Sequence, residues 1–303
     1  MGRQNIVFLY GRILKPPINQ RNRETGESLY CMVYIDTVRG LREIDDGVKF
    51  VKHDNPLVLS REKEIIDRMS EWKENDIVLI KGVITSKSLP KSSFCPNCKD
   101  ENGNPVRNDV KGNLVYITPI YVEKIKEFDN PESAIEDLIA HREISNQAYV
   151  VGTLIRDPRF ITTKKGIQIC QYPIAINRKF TIRTDDPSIR TDWPIVKSYG
   201  EQAREDRIYL QYQADVLIDG FLQARALTRK VKCSCCGNIY EYKDQAMELV
   251  PYDVEYIRGH KTKESVELEN KLTVEAIKQK LFHSSIKDND ELEEDLKSDD
   301  VVD

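Results

Sequence analysis

The amino-acid sequence predicts a mainly β protein made of two copies of one small barrel. Two observations carry that expectation: the chain repeats itself, and within each copy short apolar runs are punctuated by turn-forming residues. Asn5–Gly11 (NIVFLYG) lines up with Asn146–Gly152 (NQAYVVG) at an offset of 141, and Cys31–Ile35 with Cys170–Ile174 at 139. Three matches follow at 138: Pro56–Ser60 with Pro194–Ser198, Gly82 with Gly220, and Cys95-x-x-Cys98 with Cys233-x-x-Cys236. Pro119–Ile125 (PIYVEKI) then matches Pro251–Ile257 (PYDVEYI) at 132. Collinear matches with small drifts in offset are the mark of a tandem duplication.

The strands come first. Ile6–Tyr10, Tyr30–Ile35, Ile77–Ile80 and Tyr116–Val122 are apolar or β-branched runs bounded by Gly, Pro and Asn. A helix is expected after Ser60, a plausible N-cap, with Ile65, Ile66, Met69 and Trp72 on one face, which makes Trp72 a core residue. Five strands with a helix between the third and fourth is the order of an OB barrel, a partly open five-stranded Greek-key barrel that binds oligonucleotides on one face. Between the copies, Asn130-Pro131 opens a short helix carrying Ala134, Ile135, Leu138 and Ile139. Beyond the second copy, Thr273–Phe282 is amphipathic through Val274, Ile277 and Leu281. The expected division is therefore a first barrel over 1–127, a linker helix over 128–144, a second barrel over 145–258, a helical segment over 259–285 and an acidic tail over 286–303.

Composition narrows the class. Apolar residues at 40% with 32% charged describe a globular chain, and no apolar run approaches the roughly 18 residues of a membrane span. With no signal-peptide pattern over Met1–Arg12, a cytoplasmic, nucleoid-associated location is expected. The net charge of −4 is segregated: residues 287–303 hold nine acidic groups against two lysines, which leaves +3 on the remainder. A weakly basic body with an acidic tail is compatible with a polyanionic partner. Enzymatic chemistry lacks its parts, for there is no Gly-rich phosphate loop with Lys-Ser/Thr, no His-Glu-x-x-His and no nucleophile elbow, and the four histidines are scattered.

Seven cysteines are an odd number, which argues against a disulfide framework. Each copy supplies a Cys-x-x-Cys pair, the spacing that turns two thiolates toward one Zn²⁺, and a structural zinc wants four. One zinc shared by Cys95, Cys98, Cys233 and Cys236, with loops after the fourth strands meeting across a pseudo-two-fold axis, is the reading taken forward. A redox pair, for which the βαβ context is missing, and unmetallated pairs are the alternatives. Cys31 and Cys170 are expected to be small buried hydrophobes, and Cys235 has no assignment.

The second copy carries a further pattern. Asn146, Tyr149-Val150-Val151-Gly152, Leu154 and Asp157-Pro158 are followed by Gly166 and the run Tyr172–Arg178. Thr191-Asp192-Trp193, Tyr199-Gly200, Ala203, Tyr209-Leu210 and Val216-Leu217-Ile218-Asp219-Gly220 complete it. In order and spacing, Asn146–Leu227 resembles the bacterial and phage single-stranded DNA-binding protein family. The resemblance implies bases stacked on Phe180, Trp193 and Tyr199, with Leu227 at a fourth, usually aromatic, position. Stacking of this kind contributes about 1–3 kcal/mol per base whatever the sequence. Arg178, Lys179, Lys197, Arg225, Arg229 and Lys230 lie among or beside these positions and are expected to neutralise phosphates. The alternative is that the aromatics are core and the cations a solvated rim.

In the first copy the three stacking positions hold Leu41, Asn55 and Arg61, so that set is missing, although Arg39, Arg42, Lys49, Phe50, Lys52 and Arg61 could grip a backbone. The resemblance further implies a dimer presenting four barrels, and an acidic tail that recruits replication or recombination proteins and competes with DNA. The tip here, Asp299-Asp300-Val301-Val302-Asp303, lacks the family's Pro-Phe ending. The expected function is coating of single-stranded DNA in replication, recombination or mobile-element transfer. The runner-up is a non-catalytic adaptor in a replication or transcription complex.

Overall fold

In the computed structural model, residues 4–40, 51–184 and 186–278 are described. The first copy contains β1 (Asn5–Ile13), β2 (Ile18–Arg21), β3 (Ser28–Val38), β4 (His53–Asp54), β5 (Leu57–Ser60), α1 (Lys63–Met69), β6 (Ile77–Lys99) and β7 (Pro105–Lys126). After α2 (Pro131–Ala140) and α3 (Arg142–Ser145), the second copy repeats the order. It comprises β8 (Asn146–Leu154), β9 (Arg159–Thr162), β10 (Gln168–Asn177), β11 (Thr191–Asp192), β12 (Ile195–Tyr199), α4 (Gly200–Tyr209), β13 (Asp215–Lys232) and β14 (Ile239–Arg258).

Pairing closes each copy into a ring. β1 pairs with β3 and β6, β3 with β5, β5 in parallel with β7, and β7 with β6. The second ring runs through β8, β10, β12, β14 and β13 in the same way. Registers match across the repeat: Ile13 faces Ile35 as Leu154 faces Ile174, and Val58 faces Ile117 as Val196 faces Leu249. Strand alternation turns matching side chains inward. Leu9, Ile35, Val58, Ile80 and Ile117 fill the first interior, and Val150, Ile174, Val196, Ile218 and Leu249 the second, all fully buried. Cys31 and Cys170 are fully buried among them.

The matched glycines have a packing reason. Gly82 and Gly220 sit at equivalent bulges in β6 and β13, opposite Pro119 and Pro251. A Cβ at Gly220 would lie 2.3 Å from the Val250 carbonyl oxygen, and one at Gly82 2.8 Å from that of Thr118. The strand crosses its neighbour too closely there for any side chain.

The two rings are joined by antiparallel pairing of β1 with β8, with Val7 opposite Ala148, Asn5 opposite Val150 and Leu9 opposite Asn146. Because Val7 and Ala148 are themselves equivalent, this pair lies on a pseudo-two-fold axis, and β7-β6-β1-β8-β13-β14 form one continuous run of strands. The residues that open each copy complete the junction. The Asn5 amide donates to the Ile84 carbonyl (3.0 Å) and accepts from its N–H (2.9 Å), and Asn146 does the same with Leu222 at 2.9 and 3.0 Å. Each buried amide thus stands in for a missing strand.

The linker helix forms where expected. The Asn130 side chain accepts from the Ser133 N–H at 2.9 Å, and Ala134 and Leu138 pack on Tyr10, Val38 and Ile77. Two expectations are corrected. α1 is capped by Glu62 and not Ser60, whose hydroxyl accepts instead from the Glu62 N–H (3.2 Å). Ile66, Met69 and, just beyond the helix, Trp72 are nonetheless buried. The C-terminal helix covers residues 263–278, starting well before Thr273, with Thr262 accepting from the Ser265 N–H. Residues 260 onward form a unit separate from residues 1–259. Leu281, Phe282 and the acidic tail Asp288–Asp303 lie outside the described residues. No described helix is long and apolar enough to cross a membrane.

Asn146→Ala strands the buried Leu222 N–H and carbonyl, each worth about 1–3 kcal/mol when unsatisfied. Urea denaturation should show a loss of about 2–4 kcal/mol, and Asn5→Ala a similar one.

Candidate nucleic-acid interface

The fourth and fifth strands of each copy continue past their ring as a two-stranded arm. Beyond Gly82, β6 and β7 remain paired from Val83 to Phe94, and β13 pairs with β14 as far as Lys232 and Ile239. The Cys-x-x-Cys pairs therefore stand at the tips of long hairpins, not on loops directly after the fourth strands. Each arm lies against the other copy's ring. Asp192 accepts from the Ser86 N–H at 2.7 Å, and its equivalent, Asp54, accepts from the Ala224 N–H at 3.3 Å. The two arms also hold one another: Lys91 pairs with Asp244 at 2.5 Å, Arg229 donates to the Lys111 carbonyl at 3.3 Å, and Ser93 shares a hydrogen bond with Tyr240 (2.7 Å).

At the tips the four thiols converge. Their sulfurs all lie within 4.8 Å of one another, with Cys95 3.8 Å from Cys236 and Cys98 3.4 Å from Cys233. These separations exceed the roughly 2.05 Å of a disulfide and approach the edge of about 3.8 Å expected when four thiolates surround an ion at about 2.3 Å. The backbone donates symmetrically, from Asn97 N–H to Cys95 and from Cys235 N–H to Cys233, both at 3.4 Å. Backbone donation, first from Cys236 and then from Cys235, brings the Cys233 thiol down to about 6 against its burial. The cluster has the donor set and spacing to hold a metal ion. Cys235 is exposed and stands outside it.

The expected stacking residues are spread along the second ring, with Phe180 and Trp193 beyond the end of β10 and before β12, and Tyr199 at the far end of β12 opposite Ile169. Trp193 follows β11 and is 42% exposed, whereas Trp72 is 4% exposed. The Trp193 N–H donates to the Ser86 hydroxyl of the opposite arm at 2.7 Å, so its position is set by the first copy. Phe180 is half-buried in the bend after β10, and Tyr199, also half-buried, ends β12 with the Lys197 ammonium 5.8 Å from its ring centre. Trp193 lines a groove of about 550 Å³ with Ile189 and Arg178 of its own ring and with Thr85, Lys87, Asn113 and Tyr116 of the first copy.

The cations divide sharply. Arg178 reaches both Asp192 oxygens, at 2.6 and 2.8 Å, and also the Ile189 carbonyl, with its side chain 8% exposed. Hydrogen bonding to Asp192 raises its pKa. Arg39 pairs likewise with Asp54 (2.6 Å) and lies over the Phe221 ring of the second copy at 4.6 Å. Both were expected to contact phosphates, whereas here their guanidiniums neutralise the two aspartates that clasp the arms. Lys197 is also buried, which lowers its pKa, and approaches Glu248 at 3.5 Å. Arg225 pairs with Glu248 at 3.0 Å while remaining 42% exposed, and Arg229 pairs with Asp244. Lys179, Lys230 and Lys52 are exposed, and the Arg61 guanidinium lies 5.7 Å from the Tyr30 ring. Leu41, Arg42, Lys49 and Phe50 fall outside the described residues.

Residues 145–234 match the Single-strand binding protein family. The match falls within the second barrel. Within it, 85 residues are 31% identical to Single-stranded DNA-binding protein 1 of Staphylococcus aureus strain MSSA476, covering 28% of this chain and 53% of the relative. The identity to Single-stranded DNA-binding protein 2 of strain COL is 29%, over 60% of that protein. The chain thus spans about half the length of the curated relatives it matches. In fold, the wild-type single-stranded DNA binding protein of Thermus aquaticus is similar at 14% identity and a TM-score of 0.53. That likeness covers 87% of this chain and 97% of the other, a span too long for one ring. A deletion mutant of the Thermus protein gives a TM-score of 0.54 at 15% identity, again over 87% of this chain. The family match therefore bears on the second copy, and the fold likeness on both.

Two features escaped the sequence reading. One is the Asp54 and Asp192 clasps, which depend on contacts between the copies. The other is an aromatic face on the first ring, where Tyr30, Met32 and Tyr34 alternate outward against buried Cys31, Val33 and Ile35. Period-two alternation within Tyr30–Ile35 was the available signal.

Arg178→Ala uncovers the fully buried Asp192. Urea denaturation should show a loss of about 3–5 kcal/mol, as for breaking other buried pairs. A phosphate-contacting arginine would instead leave stability unchanged and reduce the salt slope of DNA binding by about one.

Proposed function

We propose that this chain binds single-stranded DNA without catalysis, stacking bases on Trp193, Phe180 and Tyr199 of the second barrel and coating the strand in replication, recombination or mobile-element transfer. The observation that carries this reading is Trp193. An indole at the family's stacking position stands 42% exposed at the edge of a groove, where its π-face is open to a base. Among the second copy's expected phosphate ligands, Lys179 and Lys230 are exposed and the Arg225 side chain is 42% exposed. Both rings are read as OB-type barrels. Four rings would come from a dimer, a reading favoured by Ile6, Phe8, Tyr149 and Val151, which alternate with buried residues along β1 and β8 and are only half-buried.

Fluorescence titration with oligo-dT at two salt concentrations tests this reading. Binding should weaken with salt, and Trp193→Ala should lose about 1–3 kcal/mol of binding, whereas Asn55→Ala at the equivalent position of the first copy should lose little. Absence of salt-sensitive binding at micromolar protein would favour an adaptor role instead.

For the cysteine cluster the proposed ligand is one structural Zn²⁺, held by Cys95, Cys98, Cys233 and Cys236 and tying the two arms together at their tips. Bound there, the ion would supply no reactive chemistry, since four thiolates leave no open position. The purified protein should contain about one zinc per chain, nearly all of it lost in Cys95→Ser, and chelation should lower the thermal midpoint. Two zinc ions per chain, or none after anaerobic preparation, would remove the shared site.

A further inference from the structure

The outward faces of the two rings differ in character at equivalent positions. In the first ring, Leu57, Leu59 and Tyr116 form an apolar cluster on which Tyr30, Met32 and Leu114 pack. The corresponding positions of Leu59 and Tyr116 in the second ring are Lys197 and Glu248, which pair with each other. An apolar, aromatic outer face on one barrel but not its twin is not required by the fold, since the second ring closes without it. Tyr34, at the edge of this face, is 45% exposed, and Ile18 beside it 57%.

The cluster connects two openings. Tyr116 lines the Trp193 groove at one end. Leu57 and Leu114 line a second groove of about 280 Å³ together with Tyr34 and Asn55, its other wall being Gln245 to Met247 of the opposite arm. Asn113 borders both grooves. Tyr34, Asn55 and Gln245 also border a third groove, about 480 Å³, that runs out past Ile18 and Lys15. One floor, apolar at Tyr116, Leu57 and Leu114 and polar at Asn113 and Asn55, thus links Trp193 of the second ring to Tyr34 of the first through residues that adjoining grooves share.

We propose that this floor is a continuation of the single-stranded DNA track. A strand stacked at Trp193 crosses Asn113 and places further bases on Tyr34, with exposed Lys15 beyond it. The inference rests on the function proposed above. A nucleic-acid strand suits the surface because its unpaired bases have apolar π-faces for Tyr34 and edges that exposed Asn113 can hydrogen-bond, while its phosphates stay in water. Tyr34 does not occupy any of the first-copy positions, Leu41, Asn55 and Arg61, that correspond to Phe180, Trp193 and Tyr199. It supplies by a different strand position the stacking surface that those substitutions removed.

The test follows Trp193 fluorescence in the full chain, Trp72 being a buried and constant background, with oligo-dT of about 4 and about 16 nucleotides, the range of site sizes for one barrel. In Tyr34→Ala the shorter oligonucleotide should quench Trp193 with wild-type affinity, while the longer one should bind about 5- to 100-fold more weakly. Tyr34→Phe should restore the longer one, because stacking needs only the ring. Asn113→Asp should likewise weaken only the longer oligonucleotide, by placing a negative charge where the strand crosses. Wild-type affinity of Tyr34→Ala for the longer oligonucleotide, with Trp193→Ala still impaired when binding is read from a dye-labelled oligo-dT, would overturn the track and leave the Trp193 site standing. Failure of the wild-type chain to bind either oligonucleotide would instead overturn the proposed function, and the track with it.

Discussion

The rest of the molecule depends on the antiparallel pairing of β1 with β8. Because Val7 lies opposite its own equivalent, Ala148, this register places the two rings about a pseudo-two-fold axis, and a shift by one residue would turn the buried sides of both strands outward. The Asn5 and Asn146 amides fix the entry into each arm, just beyond the bulges at Gly82 and Gly220. From that geometry the arms meet the opposite rings and then each other. The meeting of the four thiols at the tips follows from a register set at the other end of the hairpins.

Crossing arms change the meaning of charge at the site. Arg39 and Arg178 have the residue type and position of phosphate ligands, yet each is aimed at an aspartate whose other contact is a backbone N–H of the opposite arm. A carboxylate buried at that junction needs a counter-charge, and the nearest strand end supplies it. The cost is that two cations leave the rim. What remains for a polyanion is a thinner set of exposed lysines around an aromatic groove, consistent with a body of only +3. Stacking is then left with a larger share of recognition than neutralisation.

Much of this architecture was legible in the sequence because a duplication prints its register twice. The six aligned segments gave the ring interiors, the paired glycines and the partnership of the cysteine pairs, since offsets in sequence become equivalences in space. The arms were not legible. Ser86–Lys99 and Pro105–Val115 are polar, rich in Lys, Ser and Asn, and lack the apolar alternation by which a half-buried strand is recognised; they pair with each other largely in solvent and read as loop. The clasps were hidden for another reason. Whether Arg178 meets a phosphate or Asp192 is decided by the Ser86 backbone arriving from a hundred residues away, and no local pattern encodes that. Trp72 and Trp193 were separable, because one completes a helical stripe and the other does not.

A homodimer of single barrels with a two-fold axis must present the same residues on both halves of its interface. Covalent duplication keeps the geometry of that axis while releasing each copy from identity. The equivalences preserved here are the ones that build the frame: the Asn amides, the Arg–Asp clasps, the bulge glycines and the four cysteines. The equivalences that have diverged lie on the outward faces, where Trp193 stands against Asn55, Lys197 against Leu59 and Glu248 against Tyr116. The first ring carries a buried apolar cluster edged by exposed Tyr34 where the second carries a buried Lys–Glu pair. The pseudo-symmetric frame therefore holds two different surfaces in fixed relation. The cysteine cluster sits where it would stiffen that relation, at the far end of the two arms whose near ends carry the grooves.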